Sequence, residues 1–378
     1  MVDAATLPDP TILAVAEQMV RDNPPDQRVY LGASVIGKSC WRQLWYDFRW
    51  VLESIHDADT LARFADGHAS EEVVINRLKA VPGVRMWSEQ EGGGQFGFQD
   101  LGGHFRGHLD GIIAPLQAPK VRHVYEHKAV NERKFKKLEK LKMEHGEKQA
   151  LAHWDDTYYA QAIVYMGQFG LSDHYLTVST PGSRELTSCR TDFDANAYKR
   201  LMGKAERIIN SATPLERISA KPDYYICNWC TYKDNCHGEK VARVNCRTCS
   251  FVTPADNGTW RCEFHKKTLS KKEQRAGCSK HLFIPDLVPF GQVTDMNQEA
   301  HTISYQTESG TPFINAETND WANSQFASKD LQHLNAELLD SDTDFFSAMS
   351  RFDGATIKSV TKPKEKPKPV PVSDITST

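Results

Sequence analysis

Phe105-Arg-Gly-His-Leu-Asp-Gly-Ile-Ile113 is followed, after Ala114-Pro-Leu-Gln-Ala-Pro119, by Val124-Tyr-Glu-His-Lys128. Phe105 to Ile113 and Val121 to Lys128 read as short strands rich in apolar and aromatic residues, with the proline-bounded segment as their connection. Positions two apart on a strand share a face, so Glu126 and Lys128 point at one site. A strand carrying Asp110 alongside them brings a second carboxylate to the same place. Asp110 stands between Leu109 and Ile112 with Gly107 and Gly111 around it. A charge on so apolar a strand needs a partner. Two carboxylates of this kind suit Mg²⁺ or Mn²⁺. Such a cation polarises a phosphate and lowers the pKa of an attacking water. Lys128 then orients that water or offsets charge developing on the phosphate.

Outward from this pair, the pattern alternates. Thr11 to Arg21 reads as a short amphipathic helix. Gly32-Ala-Ser-Val-Ile-Gly-Lys-Ser39 leads into a second helix carrying Cys40, Arg42, Leu44, Trp45 and Phe48. Leu61, Phe64, Val73, Val74 and Leu78 recur at helical spacing between Thr60 and Ala80. Asp156 to Phe169 and Phe193 to Ser211 predict helices, and Asp173 to Ser179 a strand. Helix, strands, helix, strand, helix is the order of an α/β fold with a mixed central sheet flanked by helices. Farther on, Thr302 to Asn315 predicts a small hairpin and Lys329 to Phe352 one or two helices. Lys362-Pro-Lys-Glu-Lys-Pro-Lys-Pro-Val-Pro-Val372 is expected to be a disordered tail.

The nine cysteines fall into a pattern. Cys227, Cys230 and Cys236 read C-x2-C-x5-C, three thiolates suited to a soft metal centre, with a fourth thiolate to come from elsewhere in the chain. Cys246, Cys249, Cys262 and Cys278 then have zinc-ribbon-like spacing. His265 and His281 each follow a cysteine by three positions, so either would serve in place of one thiolate. Lys266, Lys267, Lys271, Lys272 and Arg275 make this module basic, as a DNA-holding or partner-docking accessory would be.

Composition narrows the class. Hydrophobic residues make up 40% of 378 and charged residues 25%, enough for a real core. No apolar run of about eighteen residues is present to span a membrane. Met1-Val-Asp-Ala-Ala-Thr-Leu-Pro8 has no basic start followed by an apolar stretch, so a cytoplasmic location is expected. The net charge of −3 does not advertise nucleic-acid binding, although local patches decide that. No G-x4-G-K-[ST] motif supplies an ATP-driven motor.

With these residues in view, the chain resembles the PD-(D/E)xK nuclease superfamily over roughly residues 30–240. It is closest to the RecB-like branch that includes CRISPR-associated iron–sulfur exonucleases and related phage exonucleases. The resemblance implies a restriction-endonuclease-like core. It assigns the helical His68 as a further metal ligand beside Asp110 and Glu126, with Glu72 one turn on to assist. Gln161 and Tyr165 match the family's Q-x3-Y helix and would place Lys128 or the DNA backbone. One cysteine before the core and three after it, matched by Cys40 with Cys227, Cys230 and Cys236, is the family's iron–sulfur staple. The resemblance thus implies an iron–sulfur cluster, most simply 4Fe–4S, with Zn²⁺ in the same four thiolates as the rival.

The expected organisation is a nuclease domain over 1–240, a zinc-binding module over 241–285, an accessory region over 286–355 and a disordered tail over 356–378. The expected activity is metal-dependent DNA exonuclease cleavage in phage or prophage recombination, where a single-strand annealing protein is a common partner. A CRISPR-adaptation-type nuclease and a non-catalytic iron–sulfur DNA-binding protein are the alternatives. Arg133, Lys134, Lys136, Lys137, Lys140 and Lys142 are candidate phosphate contacts, with a solvated helix as the plain reading of the same run. Trp41, Trp45 and Trp50 are expected to pack around Cys40.

Overall fold

A computed structural model describes residues 9–341. The proline- and lysine-rich tail, and the part of the expected Lys329–Phe352 helices beyond 341, lie outside the described residues. The chain divides into two compact units, Met1–Gly238 with Ala242–Cys278, and Glu239–Val241 with Ser279–Thr378.

The first unit is built on a five-stranded mixed sheet. Its strands lie in the order Arg85–Trp87, Gly111–Ala114, His123–Ala129, Asp173–Ser179 and Leu186–Asp192. His123–Ala129 runs parallel to Asp173–Ser179, and the other pairs are antiparallel. A parallel pair needs a long crossover. Here it carries the helices Glu132–His145, Ala150–Trp154 and Asp156–Phe169. Asp155 caps the last of these by accepting from the N–H groups of Thr157 and Tyr158, satisfying donors a helix start leaves over.

The central strand His123–Ala129 is buried along most of its length because helices cover both faces of the sheet. Leu138, Leu151, Ala162, Leu176 and Val178 form one core cluster on it. Ile75, Ile113 and Tyr125 form another, where the helix Ala58–Lys79 packs. Ala195–Asn210 completes the helical cover. Trp45 and Trp50 are buried as expected, whereas Trp41 is 36% exposed.

A second, three-stranded sheet joins Leu31–Gly32, Phe105–His108 and Gly97–Asp100. The cysteine-rich segment 242–278 belongs to this same unit. It forms the antiparallel sheet Val252–Ala255, Thr259–Cys262 and Lys267–Leu269, followed by the helix Lys271–Ala276.

The other unit is a four-stranded sheet of Gln292–Asn297, Thr302–Gln306, Pro312–Ala316 and Gln325–Ala327. Thr302–Gln306 and Pro312–Ala316 are the hairpin read from the sequence. Tyr305, Phe313 and Phe326 fill its core. Among the described residues, no helix is long and apolar enough to cross a membrane.

Candidate active site and cysteine centres

Phe105 to Ile113 is not one strand. Phe105–His108 pairs in the small sheet and Gly111–Ala114 in the central one, with Leu109 and Asp110 as the bend between them. The cause is visible at Asp110. Its Oδ2 accepts the backbone N–H of His127 at 2.8 Å, just past the last paired residues, Gly111 and Tyr125. The side chain takes the place of a ladder carbonyl, and the backbone is released to change sheets. Gly111 permits the close approach, since a Cβ there would sit 2.6 Å from the Trp87 carbonyl oxygen.

Glu126 and Lys128 share a face of the central strand, as their spacing requires. Lys128 Nζ donates to Glu126 Oε2 at 2.7 Å. Gln161 Nε2, from the helix Asp156–Phe169, donates to the same oxygen at 3.1 Å and lies 3.2 Å from the Tyr165 hydroxyl. Glu126 is 2% exposed. Its Oε1 is buried and has no hydrogen-bond partner among the described residues.

The electrostatics bind these groups into one site. Burial, and then the charge of Asp110, push Glu126 up to about 8 against the attraction of Lys128. Burial also raises Asp110, with Lys128, the His127 N–H and His68 opposing it. Lys128 is held above its ordinary range because Glu126 and Asp110 outweigh the burial that disfavours its charge.

His68 is exposed on the helix Ala58–Lys79 and acts on Asp110 from there. Its neighbour in the site is Glu71, which the sequence reading missed. Burial and then Asp110 push Glu71 up to about 7. Glu72, named as the assisting carboxylate, is exposed. Helical phase separates the two: Glu71 precedes the buried Val74 and Ile75 by three and four positions, and so shares their face. Glu72 is turned about 100° away. The register of Val74, Ile75 and Leu78 was the available signal.

His127 points to the opposite face of the strand. Its ring hydrogen-bonds Ser70 at 3.0 Å, Thr177 at 2.9 Å and Ser179 at 3.2 Å. This network ties the Glu126 strand to the helix that carries His68 and Glu71.

The basic run lies on the helix Glu132–His145, and most of its lysines have partners there or beside it. Lys134 pairs with Asp155, Lys136 with Glu132, Lys140 with Glu144 and Lys142 with Glu139, and Lys137 donates to the Trp154 carbonyl.

Cys40, Cys227, Cys230 and Cys236 line a single cavity with Tyr46 and Tyr232. Cys40 precedes the helix Trp41–Arg49, and the other three come from the short helices Tyr225–Asn228 and Lys233–His237 and the turn between them. Burial, and then Cys236 and Cys40, raise the Cys227 thiol. Cys246, Cys249, Cys262 and Cys278 form a separate set that acts on one another electrostatically: burial and then the other three push Cys246 up to about 12. His265 Nε2 lies 3.7 Å from Cys278 Sγ. His281 falls in the other compact unit. All nine cysteines stand as thiols rather than disulfides. Among the described residues, no three His, Cys, Asp or Glu side chains are gathered closely enough to enclose a metal ion as they stand.

No known protein family matches the chain, and no curated protein does. Several solved structures are similar at low identity. A protein described as SSO0001 is 12% identical, with a TM-score of 0.36, covering 60% of this chain and 96% of its own. An alkaline exonuclease from Laribacter hongkongensis is 14% identical, with a TM-score of 0.34, covering 51% of this chain and 90% of its own. Its complex with dAMP gives the same values.

Proposed function

We propose that this protein is a divalent-cation-dependent nuclease that hydrolyses DNA phosphodiester bonds from ends. The carrying observation is Glu126, a buried carboxylate with one oxygen held by Lys128 and the other without a partner among the described residues. Asp110 and Glu71 act on the same spot. Three carboxylates against one lysine in a desolvated site disfavour one another's ionised forms, as the raised values of Glu126 and Glu71 record, and a hard cation would offset that charge. Asp110 and Glu126, with His68 and Glu71 beside them, are a donor set that fits Mg²⁺ or Mn²⁺.

Held by Asp110 and Glu126, such a cation would supply polarisation of a phosphate and a lowered pKa for a bound water. The chain's own groups do the positioning. Lys128 Nζ, anchored on Glu126, sets a fixed positive charge against the charge that develops on the phosphate. Gln161, braced by Tyr165, fixes the Glu126 carboxylate from the helix side. Asp110 is held by the His127 N–H, so its carboxylate need not reorganise during reaction.

Cys40, Cys227, Cys230 and Cys236 fit an iron–sulfur cluster by donor chemistry, four thiols from distant parts of the chain on one cavity. Hydrolysis needs no electron, so the cluster is assigned as a staple between the two ends of the nuclease core. DNA end processing in phage or prophage recombination, beside a single-strand annealing protein, suits this activity.

The test is cleavage of end-labelled linear DNA, duplex and single-stranded, by protein purified without oxygen. Label loss that needs Mg²⁺ or Mn²⁺, stops with EDTA and disappears in Lys128→Ala is the expected result. DNA binding without cleavage, the same in both proteins, would overturn the reading in favour of a metal-stapled binding protein.

A further inference from the structure

Two guanidinium groups lie in the interior of the first unit without a carboxylate partner among the described residues. Arg247 is 0% exposed and Arg49 2%. Arg247 sits 3.7 Å from the ring centre of Trp50 and 4.5 Å from that of Trp260. It donates to Gln274 and to the carbonyls of Phe48 and Val29, each at 3.0 Å. Arg49 lies 5.0 Å from the Trp260 ring centre. It donates to the carbonyls of Val252, Ser211 and Arg247, while its Nε finds no acceptor among the described residues. Among the described residues neither arginine pairs with an aspartate or glutamate; the charge acting on Arg49 is that of Cys249, and the charge acting on Arg247 is that of Arg49.

Carbonyls and aromatic faces solvate a cation but do not cancel its charge. Two like charges buried together call for two negative charges close by. Arg247 lies inside the Cys246-Arg-Thr-Cys249 turn, and Cys249 acts on Arg49. A divalent soft cation in four thiolates is a dianion, and two guanidinium groups balance it.

We infer that Cys246, Cys249, Cys262 and Cys278 hold one zinc ion as a tetrathiolate, and that Arg49 and Arg247 are its buried countercharges. The balance also selects the fourth ligand. His265 in place of Cys278 would leave a monoanion against two cations, so charge favours the all-sulfur set. Arg49 ends the Trp41–Arg49 helix that begins after Cys40. The zinc site is thereby tied to the far end of the helix that serves the other cysteine set. Nothing in this inference depends on the nuclease reading.

The test uses the full chain. Zinc is counted by elemental analysis in the wild type and in Cys262→Ala, and cobalt-substituted protein is examined by absorption spectroscopy. Release of zinc to a competing chelator is then timed in Arg49→Met, Arg247→Met and the charge-retaining lysine variants. The inference predicts one zinc fewer in Cys262→Ala and a cobalt spectrum of four sulfurs. It also predicts release about tenfold or more faster in the methionine variants, with recovery in the lysine variants. Equal zinc in wild type and Cys262→Ala, or a three-sulfur, one-nitrogen cobalt spectrum, would overturn it. So would equal release from methionine and lysine variants. The first two readouts stand even if the arginine variants fail to fold.

Discussion

Asp110 Oδ2 accepts the backbone N–H of His127 at 2.8 Å, so one carboxylate both ends a strand pairing and stands at the candidate cation site. The two roles separate by substitution. Asp110→Asn keeps an acceptor oxygen for the N–H and removes the charge. It is expected to fold with nearly unchanged stability and to lose cleavage by about 10²-fold or more. Asp110→Ala removes both, leaving a partly buried donor unsatisfied at a cost of about 1–3 kcal/mol. Denaturant midpoints measured beside cleavage rates check the pair. Equal stability in the two variants would mean that the hydrogen bond does not hold the bend.

Glu71 and Glu72 offer a second comparison, since they differ by one residue and by which way they face. Glu71→Gln is expected to raise the Mn²⁺ concentration for half-maximal cleavage about tenfold or more. Glu72→Gln, on the exposed side, is expected to leave it unchanged. Titration of activity against Mn²⁺ reads this directly. The opposite ranking would return the assisting role to Glu72.

These cases show which parts of the site were legible. Glu126, Lys128 and Asp110 could be found because period-two spacing and a charge in an apolar run are local signals. Gln161 and Tyr165 are found through the family's Q-x3-Y pattern; four apart on one helix face, they reach each other, and Gln161 reaches Glu126. Glu71 against Glu72 depends on helical phase, which Leu61 and Phe64 blur: Phe64 is exposed although it fits the spacing. The break at Leu109–Asp110 is set by a side-chain-to-backbone bond to a residue seventeen positions on, and no local pattern contains it. The strand Gln292–Asn297 has all six residues exposed, so it lacks the alternation that reveals a strand. The grouping of 242–278 with the first unit rests in part on Arg49 and Arg247, whose burial only tertiary packing decides.

Gly107 tests how tightly Tyr165 is held. A Cβ at this position would lie 2.5 Å from the Tyr165 ring and 2.8 Å from the Phe98 ring. Gly107→Ala is expected to cost about 1–3 kcal/mol through overpacking. It should also lower the cleavage rate, because Tyr165 carries Gln161 and Gln161 carries Glu126. A Tyr165→Phe variant keeps the ring and removes only the hydroxyl contact to Gln161, so it should fold as the wild type does. If Gly107→Ala matches the wild type in stability and rate, the Tyr165–Gln161–Glu126 chain is not rigid.

His174 predicts how the protein meets acid. It lies on the strand beside Val124, its ring is 1% exposed, and neither ring nitrogen has a hydrogen-bond partner among the described residues. Burial, and then the charges of Lys128 and His123, push it down to about 3. His127 on the neighbouring strand is pushed down to about 4 by burial and then Lys128. Above the ordinary histidine pKa, both rings are neutral folded and unfolded, and neither adds a pH dependence. As pH falls below that value the unfolded chain takes up protons that the folded chain refuses. Each ring then removes stability at a limiting rate of about 1.4 kcal/mol per pH unit. For His174 the loss continues to its folded value of about 3. His174→Leu removes one of these protons and two buried polar atoms without partners. Denaturant unfolding of the variant between pH 6.5 and 4.5 should therefore show a shallower loss than the wild type, with equal or greater stability at neutral pH. An unchanged slope would mean that His174 reaches water or a proton acceptor in the folded protein.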